Sequence, residues 1–211
     1  MRIAVMLIAL AVLLLAGQRQ ARAIETPSHS VEKEADGYEV RVYEPFIVAE
    51  VTVEGDRGSA MNNGFRQLAD FIFGNNREEA KISMTAPVIE RAHGLDLVAS
   101  DAKAPGEGGP ERHVVTFVMP REYTLETLPT PHNDGITIRR VEGGRYAVAS
   151  FSGYARAKAV AENTEALMTA LERDGVATAG GPLLAQYDPP WTLPWNRRNE
   201  VLIPLAPETA K

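Results

Sequence analysis

The chain of 211 residues contains no cysteine. This absence excludes disulfide bonds, thiolate metal sites and cysteine nucleophiles. The sequence also lacks a G-x-S-x-G motif, an H-E-x-x-H motif, an EF-hand loop and a glycine-rich loop between a strand and a helix. Since these motifs carry the spacing that such chemistry needs, we expect no catalytic triad, no metal site and no nucleotide site.

Basic residues are also fewer than acidic residues. The chain has 22 basic and 28 acidic residues, which gives a formal net charge of −6. Nucleic-acid binding needs clustered positive charge, so we expect no nucleic-acid partner.

No apolar run is long enough to span a membrane. The one near the start, 3–16, has 14 residues, whereas a membrane-spanning helix needs about 20. Arg2 precedes this run, and a small-x-small cleavage signal ends at Ala23. The pattern predicts a signal peptide over 1–23, and a retained anchor is the alternative. Export without disulfides is typical of a periplasmic protein, and the mature chain of 188 residues would carry a charge of −9.

The rest of the chain contains an internal similarity. Residues 38–55 align without a gap with residues 136–153, and Arg41 then matches Arg139. Each copy reads as strand, turn, strand and glycine, followed by an apolar stripe of helical period. The stripes predict helices over 59–73 and 156–173.

Further strands are predicted after each helix. They cover 81–89 ("KISMTAPVI"), 95–99, 113–119, 183–187 and 200–205, with a hairpin loop over 100–112 and a loose leader over 24–37. Two β-β-α-β-β repeats result, over about 38–120 and 136–205. We therefore predict a single α+β domain over 38–211: a distorted β-barrel of two pseudo-symmetric halves, with two helices packed on the sheet.

The aromatic residues that the chain uses least are concentrated in one place. Both tryptophans, Trp191 and Trp195, lie in a proline-rich loop between Tyr187 and Arg197. Rigid aromatic rings beside cations suit a flat, anionic, partly apolar ligand. The alternative interpretation is that the tryptophans close an open end of the barrel.

Other candidates also have two interpretations. Glu200 either forms a salt bridge with a neighbouring arginine or is a buried carboxylate that awaits a cationic ligand. The helical stripe that contains Met61, Phe65 and Leu68 is either core or the wall of a cleft. Met84 would provide adaptable packing near that cleft.

Taken together, the sequence blocks resemble the SOUL haem-binding family. The blocks are "YEVRVYEP", "GFRQLADFIFGNN", "KISMTAPV", "VTFVMP", "TLETLPTP", "FSGYA" and "YDPPWTLPWNRRNEV". The resemblance implies a distorted barrel of two β-α-β repeats, with haem or another tetrapyrrole in a hydrophobic cleft by one helix. Some members have a histidine, proposed as an iron ligand, where this chain has Val42, so the resemblance implies no dedicated axial histidine here.

If haem binds, we expect apolar contacts with Phe65, Leu68 and the tryptophan loop, and a cation such as Arg197 or Arg66 near the propionates. Iron ligation would have to come from a methionine such as Met61 or from a loop histidine. The predicted ligand-binding residues are Met61, Phe65, Arg66, Leu68, Met84, Tyr187, Trp191, Trp195, Arg197 and Glu200.

The predicted function is that of an exported haem-binding protein that carries or buffers haem, held non-covalently, without transforming it. A binder of other planar or cationic small molecules is the first alternative. The second is a small hydrolase or a tetrapyrrole-modifying enzyme that uses Glu200, because "NEVLIPL" resembles the last strand of the wider effector-binding fold.

Overall fold

The computed structural model describes residues 24–92 and 111–207. The predicted signal peptide, the predicted strand over 95–99 and most of the predicted hairpin loop lie outside these residues. In the described part of the chain, no helix is long and apolar enough to cross a membrane.

Nine strands and two α-helices make up the regular structure of the described residues. The strands are β1 (His29–Ala35), β2 (Tyr38–Tyr43), β3 (Phe46–Glu54), β4 (Val88–Ala92), β5 (Arg112–Val118), β6 (Ile136–Val141), β7 (Gly144–Phe151), β8 (Leu183–Gln186) and β9 (Asn199–Pro204). The helices are α1 (Arg57–Ile72) and α2 (Ala157–Arg173), and a 3₁₀ turn covers Pro194–Asn196. Both predicted helices are therefore confirmed to within two residues at each end.

All nine strands join one antiparallel sheet in the order β1-β2-β7-β9-β8-β4-β5-β3-β6. The sheet curls into a half-barrel with the helices packed on it, which confirms the predicted α+β class. The order of the other eight strands is symmetric. If β2, β3, β4 and β5 are exchanged with β6, β7, β8 and β9, respectively, the same order results, read from the opposite end. The predicted duplication requires such an order, although the duplication itself stays a prediction.

Both helices cover the same face of the sheet. Val51, under α1, pairs with Val115 on β5, and the same row of paired residues continues through β4 and β8 to Val201, under α2. Because directly paired residues project to one side of a sheet, this row marks a single helix face. The opposite, inner face holds a separate apolar cluster that includes Tyr43, Tyr146 and Leu202.

Helix α1 lies very close to the sheet. The side chain of Asp56 accepts hydrogen bonds from the backbone N–H groups of Gly58 and Ser59, which caps the first turn of the helix. One turn later Gly64 faces β5, where an added Cβ would lie 2.5 Å from Cγ2 of Val115. Glycine at this position therefore allows the close approach of α1 to β3 and β5.

The strand predicted over 81–89 is wrong for most of its length, because β4 begins only at Val88. The backbone of the preceding segment bonds irregularly: the N–H of Ile82 donates to the carbonyl of Ile72, and the N–H of Ala86 donates to the carbonyl of Glu25. The Ala86–Pro87 peptide bond is cis. The alternation of apolar residues in this segment therefore does not mark a strand.

The segment over 24–37 is not loose, contrary to the prediction. Its residues 29–35 form β1, which pairs with β2 through a register that contains one irregularity. Before β1, the carbonyl of Ser28 accepts a hydrogen bond from the N–H of Glu44, and Pro27 is buried. Charged and polar side chains hid this strand from periodicity, since most of β1 is exposed at the edge of the sheet.

Candidate functional site

The inner face contains a charged cluster around Glu200, whose side chain is fully buried. Arg41 donates from Nη1 to the two carboxylate oxygens at 3.0 and 3.1 Å, and Arg198 donates from Nη2 to Oε1 at 2.7 Å. The hydroxyl of Tyr187 donates to Oε2 at 2.6 Å, and that of Ser150 donates to Oε1 at 3.2 Å. Both oxygens of Glu200 are thus occupied by donors from four different side chains.

These contacts determine the charge of the cluster. Burial by itself raises the pKa of Glu200, but the hydrogen bonds from Tyr187 and Arg198 and the charge of Arg41 outweigh it and lower the pKa below its ordinary value. Burial and the adjacent charge of Glu200 raise the pKa of Tyr187. Glu200 is therefore ionised and neutralised at neutral pH, which favours the salt-bridge interpretation over a carboxylate that awaits a cationic ligand.

A second charged cluster lies on the same face around Glu50. Its carboxylate accepts hydrogen bonds from Arg91 at 3.0 and 3.1 Å and from Arg139 at 2.9 and 3.1 Å. Thr116 donates to the same carboxylate at 3.2 Å. Arg139 is the residue that the internal alignment pairs with Arg41, so each half of the chain contributes one of these arginines to an Arg–Glu–Arg cluster.

Strand register places the two clusters in one row. Glu200 pairs with Ala185, Ala185 with Ile89, Ile89 with Thr116, and Thr116 with Glu50. Small and apolar residues therefore separate the two carboxylates. A small apolar cavity of about 30 Å³, lined by Tyr43, Ile89 and Leu202, lies on this part of the inner face and is too small for a macrocycle.

The helix face offers a different arrangement near the start of the tryptophan loop. On α1, the ring of Phe65 is half-exposed and lies 5.3 Å from the ring of Phe117. Phe117 pairs with Val88, and Val88 pairs with Gln186, the last residue before the tryptophan loop. This row crosses from α1 to the base of the loop.

The tryptophan loop presents its apolar side chains to solvent. Trp191 is 82 % exposed, Trp195 is 70 % exposed and Leu193 is 52 % exposed. Next to the loop, at the turn after β7, Tyr154 is 48 % exposed. The exposure of the tryptophans argues against their proposed role as a plug of the barrel. We call Phe65, Tyr154, Trp191, Leu193 and Trp195 the aromatic surface.

Cations border the aromatic surface. The guanidinium groups of Arg197 and Arg156 lie 4.6 and 5.3 Å from the ring centroid of Tyr154, within the range of cation–π attraction. Arg57, at the start of α1, donates to the carbonyl of Ala155 at 2.9 Å. That hydrogen bond ties the helix to the turn that carries Tyr154, so α1 and the loop flank the same region.

Of the ten predicted residues, Trp191, Trp195 and Arg197 lie together in the tryptophan loop, and Phe65 lies on α1 at the other end of the row of paired residues. Leu68 is instead fully buried in the core under α1, and Met61 is partly buried against that core. The core interpretation of the helical stripe therefore holds for both.

The other four predicted residues lie elsewhere. Arg66 is exposed on α1, and Met84 is 37 % exposed in the irregular segment before β4. Tyr187 and Glu200 belong to the charged cluster of the inner face. Alternation along β9 places Glu200 on the side opposite the helices, because Val201 packs under α2.

Several residues of these regions were not predicted. Tyr154 was quoted only as part of "FSGYA", and Arg41 and Arg139 only as matching positions of the repeat. A charged residue that recurs at the same place in both halves is a signal for a paired buried contact. Glu50 and Arg91 gave no such signal, since each contacts its partners only after four strands assemble.

Comparison with known proteins identifies relatives that match most of the chain. The family described as SOUL heme-binding protein matches residues 24–204. Heme-binding protein 2 of Homo sapiens is 31 % identical over 189 residues, which cover 86 % of each chain. Heme-binding protein 1 of Xenopus laevis is 28 % identical over 172 residues, which cover 81 % of this chain and 84 % of the relative.

Solved structures share the fold at low sequence identity. The C-terminal domain of EcmrR is 13 % identical with a TM-score of 0.57, and the match covers 80 % of this chain and 98 % of that domain. A hydrolase from Listeria innocua is 12 % identical with a TM-score of 0.52, covering 83 % of this chain and 94 % of the hydrolase. At these identities the similarity concerns the fold alone.

Proposed function

The chain belongs to the SOUL haem-binding protein family, and on that basis we propose that it binds haem non-covalently on the aromatic surface and carries or buffers it. The observation that carries this proposal is the exposure of the aromatic rings of the tryptophan loop, of Tyr154 and of Phe65 on α1, with Arg156 and Arg197 beside the ring of Tyr154. A flat apolar macrocycle with carboxylate substituents matches both features.

The fit to haem rests on rings and cations rather than on an iron ligand. Val42, at the position where some members have a histidine, is an apolar residue of β2 that pairs with Arg145. Among the described histidines, His113 is buried against Glu90 and Glu111. In this proposal haem is held mainly by stacking and ion pairing, which suits reversible carriage.

Burial of charge on the inner face supports the choice of an anionic over a cationic ligand. Glu50 and Glu200 are each paired with two arginines, so neither carboxylate is free for a cationic guest. An enzyme that used Glu200 would first have to separate it from Arg41 and Arg198.

Haem titration followed through the Soret band tests the proposal. We expect a saturable shift with one haem per chain, and we expect Phe65→Ala to weaken binding by about 1–3 kcal/mol, the range for loss of a stacked aromatic contact. Phe73→Ala is the matched control, because Phe73 is a 63 % exposed phenylalanine just beyond the end of the same helix. Absence of a saturable shift, or tight binding of cationic dyes in its place, would overturn the proposal.

We propose further that the chain is exported and that residues 1–23 are removed. Support comes from the charge and apolar pattern of this segment and from the start of the family match at residue 24. N-terminal sequencing of the protein from its native host should begin at Ile24. A sequence that begins at Met1 or Arg2 would contradict this proposal.

A further inference from the structure

The tryptophan loop exposes three large apolar side chains that are close together in the sequence. Trp191, Leu193 and Trp195 alternate along one short stretch, and each is more than half exposed. Large exposed apolar patches on folded proteins mark sites of interaction with proteins, ligands or membranes. The chemistry of the loop decides between these partners.

The loop is held rigidly in its exposed conformation. Arg197 donates from Nε to the carbonyl of Thr192 at 2.8 Å and from Nη2 to the carbonyl of Pro190. The N–H of Gly153 donates to the carbonyl of Pro194 at 2.8 Å, which attaches the loop to the turn after β7. Binding through this loop would thus cost little conformational entropy.

The surroundings of the loop are basic although the chain is acidic overall. Arg156 and Arg197 lie at its base, whereas the chain carries a net charge of −6. A third arginine, Arg198, is ion-paired with the buried Glu200, and Asp188 accepts only the backbone N–H of Arg198 at 2.7 Å, so two cations stand against one carboxylate at the base of the loop. The local charge therefore complements an anionic surface.

Tryptophan, leucine and arginine together are suited to the headgroup region of a lipid bilayer. The indole ring prefers the boundary between lipid headgroups and acyl chains, where its apolar body is buried and its N–H stays near water. Arginine contributes attraction to anionic headgroups at the same depth. The tryptophan loop has apolar side chains at its tip and arginines at its base, which is the arrangement that such a membrane surface requires. A protein partner would instead need a pocket for both indole rings.

We propose that the tryptophan loop docks the protein on the surface of an anionic lipid bilayer, with Trp191, Leu193 and Trp195 inserted at the headgroup boundary. The loop borders the proposed haem surface, so docking would let haem pass between the bilayer and the protein. That purpose rests on the proposed function. Docking itself is measured without haem.

Tryptophan fluorescence, excited selectively over tyrosine, reports on this loop alone, because Trp191 and Trp195 are the two tryptophans of the chain. The experiment adds vesicles of phosphatidylcholine with phosphatidylglycerol to the haem-free protein. We expect a blue shift of the emission, quenching by lipids brominated on their acyl chains, and co-flotation of protein with the vesicles. High salt and pure phosphatidylcholine vesicles should both reduce the effect.

Two pairs of variants sharpen the test and leave both tryptophans in place. Leu193→Ser should weaken vesicle binding about tenfold through loss of apolar burial, whereas Phe73→Ser, at an equally exposed site, should leave it unchanged. Arg156→Gln should weaken binding to anionic vesicles about fivefold, whereas Lys33→Gln, on β1, should have no effect.

The outcomes distinguish failure of the docking proposal from failure of the haem proposal. Unchanged emission and no co-flotation with anionic vesicles would overturn the docking proposal and leave a protein or haem as the occupant of the loop. Equal losses for Leu193→Ser and Phe73→Ser would overturn it as well, since binding would then not depend on the loop. Vesicle binding without a Soret shift would overturn the haem proposal alone.

Discussion

The inner face of the sheet and the aromatic surface use side chains in opposite ways. On the inner face, charged groups are buried: the side chain of Glu200 is 0 % exposed and that of Arg41 is 6 % exposed. On the aromatic surface, tryptophans that most proteins keep largely covered are exposed to solvent. The difference indicates that the charges of the inner face serve the fold, whereas the rings of the outer region remain available to a ligand.

Hydrogen bonding explains why the buried charges are tolerated. A buried ion pair stabilises a fold only when its geometry is good and its remaining donors and acceptors are satisfied, and the carboxylate of Glu200 meets that condition. Removing one partner leaves an uncompensated charge. Removing an exposed aromatic ring reduces the apolar surface and leaves no buried charge without a partner.

The largest effect is expected from the inner face. Glu200→Ala would leave Arg41 buried without its carboxylate, so we expect the free energy of unfolding to fall by about 3–5 kcal/mol. Urea denaturation measures this loss. Glu142→Ala is the matched control, because the side chain of Glu142 is 72 % exposed in its ion pair with Arg140 and should change stability by less than about 0.5 kcal/mol. Similar losses of unfolding free energy for both variants would contradict the expected difference between buried and exposed ion pairs.

A somewhat smaller effect is expected at the contact of α1 with the sheet. The added methyl group of Gly64→Ala would collide with Val115, so we expect a loss of about 1–3 kcal/mol of stability. Gly58→Ala, also in α1, meets only an oxygen of Asp56 at 3.4 Å and should not destabilise. Thermal unfolding compares the two variants, and a neutral Gly64→Ala would mean that α1 can shift outward at no cost.

On the aromatic surface the effect should appear in binding and not in stability. Trp191→Ala should weaken haem binding by about 1–3 kcal/mol if its ring stacks on the ligand. Because Trp191 is 82 % exposed, its loss should leave the unfolding transition within about 0.5 kcal/mol. Unchanged haem affinity in the Soret titration would remove the ring from the haem site.

The smallest effect concerns pH. The folded-state pKa of Glu200 is lowered from 4.5, so its contribution to stability is present above that pH and is lost as pH falls through the lower folded value. Wild-type stability should therefore decline more steeply with acid than that of Glu200→Gln, which has no carboxyl group to titrate. Denaturation midpoints between pH 6 and pH 3 measure both slopes. Parallel slopes would mean that folding does not lower the pKa of Glu200.

Local pattern was sufficient for the helices and for several strands. The apolar stripe of α1 and the alternation along β5 and β9 reflect contacts that repeat at a regular spacing. The strand predicted over 81–89 failed because its apolar residues contact α1, the residues before β1 and β5 in turn. Strand β1 was missed because it is an exposed edge strand, and such a strand needs no alternation of apolar residues.

The candidate site was predictable in part. Trp191, Trp195 and Arg197 stand together in the sequence, so composition alone indicated their surface. Phe65 lies on a distant helix, and only the row from Phe117 through Val88 to Gln186 connects it to the loop. Leu68 shares the stripe of Phe65, and its complete burial depends on how α1 is rotated on the sheet.

The amino-acid sequence by itself determined the fold class, the helices and the concentration of aromatic rings and arginines in one loop, because each depends on neighbouring residues. Tertiary structure alone decided that Glu200 is neutralised by Arg41, 159 residues away, and that the tryptophans face solvent. The physical reason is that burial and ion pairing depend on which strands become neighbours, and strand order is a property of the assembled sheet.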